Sequence, residues 1–215
     1  MQISIAGILA WMALPCAAYA QAPASAPSKG YVEVVAQSEF GNVTSQSFGV
    51  EFGVTVLPQV QVFVDAGRIN NVATDEISAG AATIAGYLSQ TQANVQHGVK
   101  QPVTFGMAGV KFNIPRAGSL TPYVMGGAGV ANVKQDVTFS VGGTDVTGDL
   151  ATYGVALGSD LSGTFTKPMV GVGVGVMWPA LRRLVLDFQY RYGRIFADVQ
   201  GINVNRGGLG IGVRF

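Results

Sequence analysis

Eight stretches of this chain alternate large apolar residues with glycine or polar ones over about ten positions each. The last stretch, "INVNRGGLGIGVRF" (202–215), sets Leu209, Ile211, Val213 and Phe215 against Gly208, Gly210, Gly212 and Arg214. A period of two sends successive side chains to opposite faces of a strand, so each stretch reads as a two-faced β-strand. The others are "YVEVVAQS" (31–38), "SFGVEFGVTV" (47–56), "QVQVFVDAGRI" (59–69), "VTFGMAGVKFNI" (103–114), "LTPYVMGGAGVANV" (120–133), "PMVGVGVGVMW" (168–178) and "LVLDFQYRYG" (184–193). In the fifth, facing is ambiguous. The sixth opposes Val170, Val172, Val174, Val176 and Trp178 to a column of glycines.

Which face is wet follows from the charges. Charged residues are 12% of the chain and its net charge is +1, against roughly 25% charged in an average soluble protein. The polar faces hold four acids (Glu33, Glu51, Asp65, Asp187) and four bases (Lys111, Arg191, Arg206, Arg214). A soluble surface would carry far more. A narrow lumen, by contrast, accommodates glycines and a balanced set of ions, and inward glycines let a small barrel curve. Toward lipid, each base would cost roughly 2–4 kcal/mol at the midplane. The eight ions are therefore expected to pair inside, as a structural network.

The connections obey a parity. Links 2–3 ("LPQ"), 4–5 ("PRAGS") and 6–7 ("PALRR") are short and contain proline, whereas links 3–4 (70–102) and 5–6 (134–167) are long. Long and short links never share a side. That arrangement fits periplasmic turns, extracellular loops and periplasmic termini. Within 70–102, Ile77, Ala81, Ile84 and Leu88 recur at helical spacing after Asp75 and Glu76, which predicts a short helix over the rim. The second long loop either prolongs strands five and six or forms a hairpin at Gly142-Gly143. The expected fold is all-β: an eight-stranded antiparallel up-and-down transmembrane β-barrel over 30–215, with two long extracellular loops.

Ahead of it, residues 1–20 form an apolar run ending in Ala18-Tyr19-Ala20, a secretory signal peptide with cleavage expected after Ala20. Its n-region has no Lys or Arg, which leaves open whether Met1 is the true start. Residues 21–29, "QAPASAPSK", read as a flexible linker. Cys16, the single cysteine, falls within the signal and follows Pro15, against a lipoprotein signal. The mature chain can form neither a disulfide nor a thiolate metal site.

Several segments resemble the small eight-stranded outer-membrane β-barrel family of opacity-type proteins and the OmpA transmembrane domain. They are "LTPYVMGGAGVA", "LDFQYRYGRI" and the terminal "GIGVRF". The resemblance implies an outer-membrane location, contact with lipid and lipopolysaccharide, and a C-terminal insertion signal (Leu209, Ile211, Val213, Phe215) read by the outer-membrane assembly machinery.

Other chemistry is sparse. Gly127-x-Gly129 is followed by Asn132 where a nucleotide fingerprint needs glycine, and no basic patch suggests nucleic acid. Asp145, Asp149 and Asp160 fit no calcium-loop spacing. His97, the single histidine, lies near Ser89, Thr91 and Thr104 without assembling a catalytic set. Neither a cofactor nor an enzymatic activity is expected. The expected role is structural or surface-interactive, through loops 70–102 and 134–167 and an unknown extracellular ligand or surface. Alternatives are a small porin-like or hydrophobic-solute channel and, further off, a lipid A-modifying enzyme using His97.

Overall fold

The computed structural model describes residues 29–115, 118–158, 161–197 and 201–215. The expected signal peptide with Cys16, linker residues 21–28 and Asp160 lie outside the described residues.

Strand β1 (Gly30–Phe40) leads through β2 (Ser45–Leu57) and β3 (Val60–Ile69) into helix α1 (Asp75–Leu88). The chain returns through β4 (Val95–Lys100) and β5 (Val103–Asn113), then rises along β6 (Thr121–Val141). A two-residue β7 (Thr144–Asp145) and a 3₁₀ turn (Thr147–Tyr153) precede β8 (Ser162–Pro179), β9 (Leu184–Ile195) and β10 (Ile202–Arg214). Eight of these strands form the wall, each antiparallel to its sequence neighbour in the wall, and β10 pairs with β1 from Tyr31↔Arg214 to Phe40↔Asn205. The seam is sealed by reciprocal backbone hydrogen bonds of 3.0 Å between Gly30 and Phe215. A closed wall leaves no unpaired strand edge within it, as a membrane interior demands.

Facing follows the alternation. Val34, Phe48, Val50, Val172 and Ile211 stand on the exposed outer face, while Glu33, Glu51, Phe63, Lys111 and Asp187 are buried inside. In β6 the even-numbered residues point outward, and Tyr123 and Met125 inward. That resolves the fifth strand.

The second long link does both things considered for it. Strands β6 and β8 run on beyond the wall, to Asp136↔Ser162, and β6 then turns back through Gly142 and Gly143 into β7. Both glycines have positive φ, at 58° and 85°, which an L side chain resists. Strands β4 and β5 share one register on β6, from Val95↔Val141 to Asn113↔Tyr123. The break between them falls at Gln101-Pro102, where proline has no N–H to donate.

Helix α1 is set by its own sequence. Thr74 caps it by accepting from the Ile77 N–H, Asp75 and Glu76 occupy its positive end, and Ile77, Ala81, Ala85 and Leu88 are buried. Ile84, expected on that stripe, is only partly buried against it. Among the described residues no helix is long and apolar enough to cross a membrane.

Candidate functional site

Five of the eight predicted lumen ions meet. Glu51 bridges two bases: its Oε1 lies 2.6 Å from Lys111 Nζ and its Oε2 accepts from Arg191 Nη2 at 2.6 Å. Arg191 Nη1 donates to Asp65 Oδ2 at 2.6 Å, and Asp187 Oδ2 lies 3.8 Å from Lys111 Nζ. Glu33 joins by hydrogen bonding, accepting from Gln189 Nε2 at 2.9 Å while Gln189 accepts from Arg191 Nε.

Two tyrosines complete the cluster. Tyr31 donates to Glu51 at 2.5 Å and Tyr123 to Asp187 at 2.8 Å. Lys111 Nζ sits between their rings, 4.8 Å and 4.4 Å from the centroids. With Lys111 and Glu51 fully buried, hydrogen bonds and ring faces stand in for the lost hydration.

The balanced four-and-four arrangement needs correction. Arg206 makes no ion pair with the described residues and lies 4.5 Å over the Phe105 ring. Arg214 is half-buried beside the short turns and donates to Met177 Sδ at 3.4 Å. Among the described residues neither guanidinium is paired with a carboxylate, although Glu39 lies at the level of Arg206. Glu39, a buried acid opposite Arg206 in the β1–β10 register, was not among the expected ions. Its carboxylate has no hydrogen-bond partner among the described residues. It continues the parity of Glu33 and Gln37 one step past the segment 31–38, so the signal was present.

Lumen glycines also have a second task. Tyr31 lies opposite Gly53, Tyr123 opposite Gly175, Phe63 opposite Gly109, and Phe105 opposite Gly67. A Cβ on any of these glycines would collide with the facing ring. The lumen is thus filled by aromatics laid over glycines, a cross-strand exchange of volume.

Toward the end carrying the long links, apolar side chains fill much of the lumen beside the buried Glu39 and Arg206. Ile69, Val103, Phe105, Val133, Met169 and Ile195 belong to a fully buried cluster there. Above it the two long links fold together. Ile77, Ala81, Ala85 and Leu88 of α1 pack with Val137 and Phe139 of β6, and with Val146, Leu150 and Leu161 beyond it.

His97 stands exposed on β4 opposite Phe139, and none of Ser89, Thr91 or Thr104 bonds to it. Asp145 accepts from the Thr147 N–H at 2.8 Å, and bonds from the Thr147 hydroxyl and N–H hold its carboxyl below the ordinary range. Among the described residues no group of three His, Cys, Asp or Glu could hold a metal.

On the outer wall, polar residues replace apolar ones at the long-link end. Tyr190 donates to Asn205 Oδ1 and Tyr192 to Asn203 Oδ1, both at 2.9 Å, and Arg194 donates to Asn203 Oδ1 at 3.2 Å. At the opposite end Phe215 stacks with Phe52, centroids 6.3 Å apart.

The family model described as "Outer membrane protein beta-barrel domain" matches residues 6–215. Among solved structures, Neisserial surface protein A superposes with a TM-score of 0.52 at 16% identity, covering 87% of this chain and 98% of its own. Ail, the attachment invasion locus protein of Yersinia pestis, gives 0.48 at 14% identity over 87% and 99%. The N-terminal barrel domain of Pseudomonas aeruginosa OprF gives 0.46 at 16% over 88% and 100%. No curated protein matches the chain in sequence.

Proposed function

Because the chain belongs to the outer membrane protein β-barrel domain family and so resides in the outer membrane, we propose that its barrel is a closed pedestal for an extracellular cap that contacts surfaces or ligands. One observation carries this reading: α1 from 70–102 and the β6–β8 excursion from 134–167 share a single hydrophobic core above an apolar lumen plug. Two loops that only linked strands would not need a common core. A packed cap holds a fixed shape, which is what recognition rewards. Tyr87, 53% exposed on α1 despite its size, is the natural contact residue.

The rest of the molecule serves that cap. Residues 1–20 direct export, and the terminal face of Leu209, Ile211, Val213 and Phe215 addresses the assembly machinery. The ion cluster holds the wall together. Conduction would require a path through the apolar plug, and eight strands leave an interior that side chains fill. An enzymatic reading would need partners for His97, and among the described residues neither Ser89, Thr91 nor Thr104 bonds to it.

The test is adhesion. Gram-negative cells expressing the wild-type chain should bind a cultured epithelial monolayer, and Tyr87→Ala or deletion of 75–88 should abolish the gain. Refolded protein should give flat traces in planar bilayers. Undiminished adhesion by both variants, or stepwise conductance, would overturn the reading.

A further inference from the structure

A hollow of about 620 Å³ indents the outer wall between β2 and β6. Its floor is small: Ala66 stands opposite Gly106, and Ala108 opposite Ala128. Beside it β2 is raised, with Phe48, Val50 and Phe52 exposed on the same wall. Wall packing does not require the hollow. A Cβ on Gly106 would meet no atom within 4 Å, and one on Gly126 nothing nearer than 3.8 Å; neither glycine has a positive φ.

Ridge and hollow are set at matching depths. The pairing that starts at Gly30↔Val54 passes through Val62, Val110, Gly126, Val172, Tyr192 and Asn205 and returns to β1 at Phe40, ten residues from where it began. Each row of paired residues therefore climbs toward the long links by a little over one residue per strand, and by about four from β2 to β6. Phe48 shares its row with Asn132, and Val50 with Val130. At equal depth, Phe48 is level with Ala128 and Val50 with Gly126.

Copies in one membrane stand with parallel axes, so a closed pair has its two-fold axis parallel to the barrel axis. With that axis between β3 and β5, β2 of each copy faces β6 of the other at the same depth. From this we infer that the wall from β2 to β6 is a self-association surface for a second copy of the chain, with Phe48 seated over the partner's Ala128 and Val50 over the partner's Gly126. The symmetry makes each contact twice. Four strands about 4.8 Å apart over an apolar band about 25 Å tall project on the order of 500 Å². Their ridged accessible surface is larger, close to the roughly 800 Å² per partner of a stable interface. An acyl chain conforms to any relief, whereas a rigid ridge gains its dispersion contacts only over a matching hollow. The pairing lies in the membrane band and is separate from what the cap contacts.

The chain's single cysteine is Cys16, so the full-length mature barrel, refolded from Gln21 onward, offers only the thiols placed in it. Barrels carrying Phe48→Cys and barrels carrying Ala128→Cys are brought into shared phosphatidylcholine vesicles and treated with a short bis-maleimide. Mixed dimers should form in several-fold excess over those from Phe48→Cys with Phe188→Cys, a thiol on β9. Single-molecule photobleaching should count two wild-type copies per particle until lipid dilutes them apart. Gly106→Val with Ala108→Leu should weaken that pairing about tenfold, as bulk added to a packed contact does. Because a Cβ at 106 meets open space, this variant should still show the gel shift of a folded barrel on heating. Ala36→Leu, on β1, should leave pairing unchanged. Single copies at every dilution, or equal cross-linking to Ala128→Cys and Phe188→Cys, would overturn the pairing. Dimers indifferent to the filled hollow would overturn this face. A monomer that keeps one phospholipid in native mass spectrometry, lost in the filled variant, would give the hollow to an acyl chain instead.

Discussion

Lys111 holds a charge where water cannot reach it, and every neighbour compensates. Glu51 and Asp187 supply opposite charge, while Tyr31 and Tyr123 offer ring faces and tie the same carboxylates by their hydroxyls. Removing one partner of such a buried pair leaves uncompensated charge, typically destabilising by about 3–5 kcal/mol. Lys111→Met should therefore lower the urea midpoint of the refolded barrel in lipid vesicles by that equivalent. Arg214→Met, whose guanidinium meets only a thioether, should shift it far less. Much of this was legible in the residue order, because strand parity alone puts Glu51, Lys111 and Arg191 on inner faces. Which acid meets which base was not. That depends on the stagger between strands distant in sequence, and the same blindness made Arg206 and Arg214 look paired. The tyrosines escaped notice because glycine was credited with curvature, when its facing ring was the larger part of its role.

Within a strand, the consequence of adding one methyl group depends on the face that receives it. On β6, a Cβ at Gly129 would run into the Gly106 carbonyl oxygen, while one at Gly126 meets nothing closer than 3.8 Å. Gly129→Ala should destabilise the barrel by about 1–3 kcal/mol, as overpacking does. Gly126→Ala should be neutral or slightly stabilising. Parallel heat-modifiability melts on gels would show the contrast, and equal melting of the two variants would contradict the assigned facing. The elements themselves were the most readable level. Period-two alternation located all eight wall strands, and the spacing of Ile77, Ala81 and Leu88 located α1. The length of β6 was not readable, since "KQDVTFSV" carries a polar run at its start. Nor was the joint core of the two long links, because Leu88 and Phe139 are far apart in the chain and nothing local couples them.

At the scale of the whole molecule, closure rests on the first and last strands of the wall. Gly30 and Phe215 exchange backbone hydrogen bonds, and the Phe215 ring lies against Phe52. Phe215→Ala keeps the backbone bonds and loses the ring. Its expected effect is slower and less complete assembly into the outer membrane, with near-normal stability of the fraction that inserts. Quantifying heat-modifiable protein over time after induction measures this directly, and assembly at the wild-type rate would contradict it. Parity of link lengths made it legible that both long links gather at one end of the barrel.

The seam between β1 and β10 also sets an order of events. The residues of β10 must find those of β1, so no partial ribbon formed before them can satisfy both of its edges. Contacts of such long sequence separation form slowly. Until then, a sheet with two hydrogen-bonding margins and an oily exterior is exposed to any similar chain nearby. Escort between synthesis and membrane is the requirement expected of such a chain. The same pairing that makes the finished barrel hard to open makes the unfinished one unsafe to leave alone.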